Sequence, residues 1–304
     1  MPIERGSRNT VETFVSRFVR GDAQLVADTL AVEEPLEIQL AYGPDGNRHV
    51  KSISVTMRTP GYDFELAAGF LMTEGVVRNP EDITNIFYVA GRSVAAGTVP
   101  AGASEDDTLV LPYQPERNIV RVELAPGVSV SLANLERNFY TTSSCGICGK
   151  ASLLALRTVC PPRAENHLRI SAGLLYMLPE RLRAAQEVFE STGGLHASGI
   201  FDKEGELDSV REDVGRHNAV DKLLGTAFMA DRIPLRDRLL FLSGRASFEL
   251  LQKALMGGIP MVVCVGAPSS LAVQVAKEFD ITLVGFLRGE RFNVYHGAER
   301  IFSD

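Results

Sequence analysis

The sequence predicts an α/β protein, α+β overall, with a small N-terminal α+β domain followed by a larger domain in which helices cover both faces of a sheet. Three observations predict it. Short alternating runs such as Leu36-Glu37-Ile38-Gln39-Leu40 dominate the first half, and alternation at period two marks strands with one buried face. The second half carries continuous apolar runs, Leu239-Leu240-Phe241-Leu242, Met261-Val262-Val263-Cys264-Val265 and Ile281-Thr282-Leu283-Val284-Gly285-Phe286, as strands buried on both faces do. Helical stretches starting near Ser247 and Ser269 separate those runs, which gives the order βαβαβ and hence parallel strands.

Taken in order, residues 1–32 read as a lead-in with some helical character. The small domain is expected over 33–138. Glu33-Glu34-Pro35 opens its first strand, the turn Gly43-Pro44-Asp45-Gly46 follows, and Ser52 to Arg58 closes a hairpin. Thr59-Pro60-Gly61 breaks that strand. From Tyr62 to Glu74, Phe64, Leu66, Ala67, Phe70 and Leu71 recur at helical spacing, and Gly75 stops the helix. Residues 91–108, rich in Gly, Ala, Ser and acids, read as a surface loop before the strand Val120 to Leu124. Residues 139–150 form a cysteine loop, and the α/β domain runs over 151–304.

Bulk properties exclude several classes. With 304 residues and 45% apolar content the chain can bury its own cores without disulfide staples. A net charge of -7 with scattered arginines leaves no electrostatic footprint for nucleic acid, although a small phosphate-bearing ligand needs only local cations and backbone donors. No apolar run approaches the ~18 residues of a membrane span, and the start has no signal-peptide core, so a cytoplasmic protein without a membrane partner is expected. Of four cysteines, only Cys145 and Cys148 lie close together; Cys160 and Cys264 are expected to be core residues.

That pair sits in Thr141-Thr142-Ser143-Ser144-Cys145-Gly146-Ile147-Cys148-Gly149-Lys150, ahead of a helical run. Glycines allow a sharp bend around the thiols, and the hydroxyl residues can cap a helix start. A thiol at the positive end of a helix beside Lys150 loses its proton more readily, and a thiolate can take sulfur from a donor persulfide by the exchange chemistry that moves disulfides. Cys148 could then help to release it. Two other readings compete: a structural zinc site, which needs further ligands, and a thioredoxin-like dithiol, which would be expected just after a strand. On the sulfur-carrying reading, no resident metal is expected.

Three more segments are polar where apolar residues would suffice. Gly193 to Ile200 reads as a tight turn feeding a strand. Its His196-Ala197-Ser198 invites comparison with the His-x-Glu of zinc deaminases, but lacks the carboxylate, and no Pro-Cys-x-x-Cys follows. In Val210 to Lys222, Asp213, His217 and Asp221 recur every four residues and would form one helical stripe; the alternative is a solvated, charged face. Finally, Ser243-Gly244-Arg245, Gly266-Ala267-Pro268-Ser269-Ser270 and Arg288-Gly289-Glu290-Arg291 should emerge at one edge of the parallel sheet. Ligands bind at such edges, helix N-termini favour anions, and Arg245, Arg288 and Arg291 would complete a phosphate cradle.

These blocks, together with Glu33 to Ile38, Thr59-Pro60-Gly61, Glu65 to Leu71 and Phe286 to Tyr295, resemble the FdhD family of sulfur carriers that formate dehydrogenases require. The likeness runs in order through nearly all of residues 33–302. It implies a sulfurtransferase that accepts persulfide sulfur from a cysteine desulfurase and passes it to the molybdenum-bis(molybdopterin guanine dinucleotide) cofactor before insertion into formate dehydrogenase. It further implies a C-terminal domain with a cytidine-deaminase-like three-layer α/β/α fold, and a homodimer. The persulfide role falls on Cys145 with Cys148 beside it, and cofactor binding on Phe286, Leu287, Arg288, Gly289, Glu290 and Arg291, to which the phosphate argument adds Gly244 and Arg245. A cofactor-binding chaperone without chemistry and a deaminase-like hydrolase are the alternatives.

Overall fold

The structure is a computed structural model that describes residues 9–89, 117–130, Leu156, Cys160 and 165–303. The expectation of helical character near the start is overturned. Strands β1 (Thr10–Val19) and β2 (Asp22–Ala31) form a ten-pair antiparallel hairpin. Its turn has positive φ at Arg20 (54°) and Gly21 (97°), the geometry that matches strand twist. Phe14, Phe18 and Leu25 stand exposed on one face of it.

The small sheet has the order β4-β3-β6-β5, with β3 at Glu34–Tyr42, β4 at His49–Arg58, β5 at Ile83–Tyr88 and β6 at Ile119–Leu124. The expected hairpin is β3–β4, and β6 lies parallel to β3 on its other side. Leu36, Ile38 and Leu40 point inward at period two and meet Leu66 and Leu71 of helix α1 (Asp63–Thr73).

The second half opens with β7 (Ile170–Ser171), α2 (Ala172–Ala184) and α3 (Glu187–Thr192). A six-stranded sheet follows, built from β8 (His196–Phe201), β9 (Leu207–Asp213), β10 (Leu239–Leu242), β11 (Met261–Cys264), β12 (Thr282–Arg288) and β13 (Arg291–His296), in the order β9-β8-β10-β11-β12-β13. Strands β10, β11 and β12 are parallel, as their unbroken apolar runs predict, and the outer strands pair antiparallel. Crossover helices α5 (Phe248–Met256) and α6 (Ser270–Glu278) start after Ser247 and Ser269, and α4 (Arg216–Met229) joins β9 to β10. The last strand, β14 (Ile301–Phe302), pairs with β7.

Why those runs are apolar throughout is visible in the packing. Leu239, Phe241, Met261 and Val263 meet Leu175, Leu178 and Leu182 of α2, whereas Leu240, Leu242, Val262 and Cys264 face α4, α5 and α6. This is a helix–sheet–helix arrangement of three layers. The second of these cores is continuous with Leu36, Ile38, Leu66 and Val120 of the small sheet.

That continuity depends on α1 crossing α4 with almost no gap. A Cβ placed on Gly69 would overlap the Asp221 carbonyl oxygen and lie 2.9 Å from the Gly225 nitrogen; one on Gly225 would overlap the Glu65 carbonyl oxygen and lie 2.8 Å from the Gly69 nitrogen. Two glycines facing each other let backbone meet backbone, which no larger residue permits here.

A sheet edge with a buried ionic anchor

Backbone hydrogen bonds draw the three predicted loops to one edge. Gly266 N–H donates to the Gly244 carbonyl (2.9 Å), Phe286 N–H to the Gly266 carbonyl (3.0 Å), and Ser269 N–H to the Ala246 carbonyl (2.9 Å). On the other side of β10, Ser243 N–H donates to the Ala197 carbonyl (3.0 Å), and Ala197 N–H to Ser243 Oγ (2.9 Å). The start of β8, the end of β9 and the start of α4 therefore share the edge with the loops after β10, β11 and β12.

Each candidate residue can now be placed. Gly244 lies on the edge beside His196: a Cβ there would come 3.3 Å from His196 Nδ1. Arg245 is exposed next to it. Phe286 holds φ 57° and is 40% exposed, an uncommon backbone conformation for a bulky residue, of the kind retained where surroundings over-determine it. Leu287 turns its side chain into the core with Val263 and Val284, which leaves only its backbone for any contact at the edge. Arg288 and Arg291 pair across the β12–β13 hairpin around Gly289 (φ 54°) and Glu290, and all four are exposed. The last backbone hydrogen bond from β12 to the loop after β11 is made by Phe286 N–H, so the hairpin overhangs the edge by about 7 Å at the usual strand rise. Cys145 and Cys148 lie outside the described residues.

Beneath the edge is an anchor that the sequence reading misplaced. Asp213 is the last residue of β9 and fully buried; the helix begins only at Arg216, so Asp213, His217 and Asp221 form neither one helical stripe nor a solvated face. Asp213 takes an ion pair from Lys222 Nζ (2.7 Å) and hydrogen bonds from the N–H groups of Gly215 (2.8 Å) and Thr59 (3.1 Å) and from Asn218 Nδ2 (3.0 Å). Lys222 also donates to the Thr59 carbonyl (2.8 Å), and Thr59 Oγ1 accepts from Val214 N–H (3.2 Å). One helical turn on, Asp221 pairs with Lys253 (2.8 Å) and accepts from Thr73 Oγ1 (2.9 Å). A buried charge is tolerable when it is both paired and fully hydrogen-bonded; the counter-ions come from α4 and α5, and Thr59 after β4 and Thr73 of α1 complete the hydrogen bonding.

Above the anchor two histidines converge. His217 Nε2 lies 3.3 Å from Ser247 Oγ and 3.9 Å from Glu249 Oε2. Burial pushes His217 down to about 4, with Arg216 and Lys253 adding to the shift, and burial followed by Arg216 lowers His196. Serine and glutamate meet the same ring nitrogen, so this is not a Ser-His-Glu relay, which needs them on opposite nitrogens. Among the described residues no three His, Cys, Asp or Glu side chains converge as metal ligands. Cys264 is sealed below the edge, where burial raises its thiol to about 12. Cys160 packs at the rim of the large core, its Sγ 3.8 Å from Met256 Sδ.

Fold and site together define a three-layer α/β protein whose loop-bearing sheet edge rests on buried ion pairs that are hydrogen-bonded to Thr59 and Thr73 of the first half. The chain belongs to the FdhD/NarQ family, whose pattern it matches over residues 31–302. It is 50% identical over 296 residues to the sulfur carrier protein FdhD of Streptomyces coelicolor, covering 97% of this chain and 96% of that protein. It is also 50% identical over 275 residues to the sulfur carrier protein FdhD of Mycobacterium tuberculosis, covering 90% and 92%. Among solved structures, a protein from Desulfotalea psychrophila, described as a candidate formate dehydrogenase accessory protein, superimposes with a TM-score of 0.67 at 22% identity, over 97% of this chain and all of that one, a likeness of fold. No described helix is long and apolar enough to cross a membrane.

Proposed function

We propose that this protein is a sulfurtransferase of the cytoplasm that carries sulfur as a persulfide on Cys145 and delivers it to a molybdenum-bis(molybdopterin guanine dinucleotide) cofactor destined for formate dehydrogenase. Membership of a family whose relatives are named sulfur carriers is the observation that carries the reading. In the first step the Cys145 thiolate attacks the outer sulfur of a cysteine desulfurase persulfide. A new S–S bond forms, the donor's S–S bond breaks, and the donor cysteine leaves as thiolate. In the second, the Cys148 thiolate attacks the inner sulfur of Cys145, forming a disulfide and releasing hydrosulfide to the cargo; a cellular thiol then reduces the disulfide.

The cargo is a substrate of this protein and has two nucleotide arms. The residues present suit such an anion: Gly244 and Arg245 on the edge, with exposed Arg288 and Arg291 on the overhanging hairpin, offer cations and unobstructed backbone. The exposed, backbone-constrained Phe286 offers a ring face beside them. We assign Phe286 to Arg291 to cofactor binding on this basis, and a homodimer as the working assembly.

Incubation of the full chain with a cysteine desulfurase and cysteine, followed by intact-mass measurement, should show a gain of one sulfur atom that Cys145→Ser abolishes. Retention of the adduct in that variant, or unimpaired formate dehydrogenase activity in cells carrying it, overturns the carrier reading.

A further inference from the structure

The β1–β2 hairpin has two unlike faces. Val11, Thr13, Val15, Val26 and Asp28 point one way and are half-buried, and β2 packs against α3. On the other face every residue over 12–18 and 23–27 is exposed. Phe14, Phe18 and Leu25 stand there 73%, 70% and 74% exposed. At about 200 Å² for a whole phenyl side chain, the two phenylalanines alone leave roughly 290 Å² open. With Leu25 between them, this reaches the size at which an apolar patch marks an interaction site. A two-stranded ribbon is also marginally stable in water until a further layer covers its apolar face.

The order of residues on this face indicates what covers it. Register pairs Phe14 with Ala27, Ser16 with Leu25 and Phe18 with Ala23. Around the Ser16–Leu25 pair the face therefore reads the same in both directions, Phe-Ser-Phe along β1 and Ala-Leu-Ala along β2. Its ends differ in charge: Glu12 lies towards the base and Arg20 at the turn, each four residues from Ser16. A surface symmetric in its apolar residues and opposite in its end charges is complementary to a second copy of itself turned end for end, which is the condition for a two-fold contact. A ribbon about 33 Å long, and about 15 Å wide with its side chains, would bury on the order of 1,000 Å² over both copies, the size at which specific interfaces begin.

We propose that the face of the hairpin carrying Phe14, Phe18 and Leu25 is a dimer surface, packed on the same face of a second copy about a two-fold axis through Ser16 and Leu25. It rests on the homodimer reading above and names its surface. Leu25 lies over its own counterpart on the axis, Phe14 of each copy over Phe18 of the other, and Glu12 of each towards Arg20 of the other. The small residues Ser16, Ala23 and Ala27 leave room between the two layers for these larger side chains.

The test measures the mass of the full chain in solution by sedimentation equilibrium, and the wild type should be dimeric. Leu25→Glu and Leu25→Lys each set two like charges against each other on the axis and should raise the dimer dissociation constant at least about 100-fold. Mixing the two variants should restore a dimer, because the axis then joins opposite charges. Val50→Glu, equally an exposed apolar position but on the edge strand β4, should leave the dimer intact. A dimer that survives both Leu25 variants, a mixture of them that stays monomeric, or a dimer that Val50→Glu dissolves instead overturns the assignment. Should the Leu25 variants not fold, Glu12→Arg decides: it should weaken the dimer about ten-fold and Arg20→Glu in the same chain should restore it, and an unchanged dimer overturns the surface. A monomeric wild type removes the homodimer together with this surface. The mass gain at Cys145 is expected of monomer and dimer alike, so failure here is distinguishable from failure of the carrier reading.

Discussion

Gly69→Ala tests the contact that joins the two halves. The added methyl would overlap the Asp221 carbonyl oxygen and lie 2.7 Å from its carbon, where carbons rest near 3.5 Å, so the helices must part by at least ~0.8 Å. Overpacking costs about 3 kcal/mol at the upper end of the usual range, because the obstruction is backbone that cannot rotate away. Parting the helices also stretches the 2.9 Å Thr73–Asp221 and 2.8 Å Lys222–Thr59 hydrogen bonds, which together contribute roughly 2 to 3 kcal/mol. Against this, alanine favours the helix by about 1 kcal/mol. A net loss of roughly 4 kcal/mol is expected, lowering the thermal midpoint by about 10 °C. Circular dichroism melts with Gly127→Ala as control, where a Cβ meets nothing within 4 Å, measure it directly. A Gly69→Ala protein within about 0.5 kcal/mol of wild type would refute the reasoning. Adding Gly225→Ala should cost less than it does alone, since the helices are already apart.

Lys222→Met leaves the Asp213 carboxylate buried without its cation and should destabilise by about 3–5 kcal/mol in urea denaturation, whereas Asp213→Asn combined with it should recover part of the loss. The depressed His217 gives a pH signature: its folded midpoint near 4 lies below the ordinary 6.5, so the unfolded chain binds the proton first. Its stabilising share is complete above pH 6.5 and falls away as pH drops toward 4. Because the side chain is 37% exposed, solvent screening reduces that share to on the order of 1–2 kcal/mol, and His217→Asn should flatten the stability profile by that amount across this window.

The parts of the fold legible in the sequence are those whose burial is decided locally. Strands β10 to β12 announced themselves because both faces of each are covered; Ser269 caps the start of α6 by accepting from Ala272 N–H, whereas Ser247 holds the same position on α5 without a side-chain cap. The hairpin of β1 and β2 was missed because apolar residues occupy both faces, Val11 and Val15 on one and Phe14 and Phe18 on the other, which blurs the period-two signal. At the site, four-residue spacing placed Asp213 on a helix with His217. The break at Gly215 was the available sign of a strand end, and the burial of Asp213 comes from Thr59, more than 150 positions away, which no local pattern records. His196 and His217 met for the same reason: strand order, not spacing, puts β8 beside α4.

The Asp213 anchor makes the loop-bearing edge of the large sheet a shared possession of both sheets. Thr59, Thr73 and Gly69 lie beneath the edge, where Thr59 holds the end of β9 and Thr73 and Gly69 hold α4 at Asp221. In a genetic screen, loss-of-function alleles would therefore cluster in two stretches far apart along the gene, and the upstream cluster would mimic a binding defect while touching nothing that is bound.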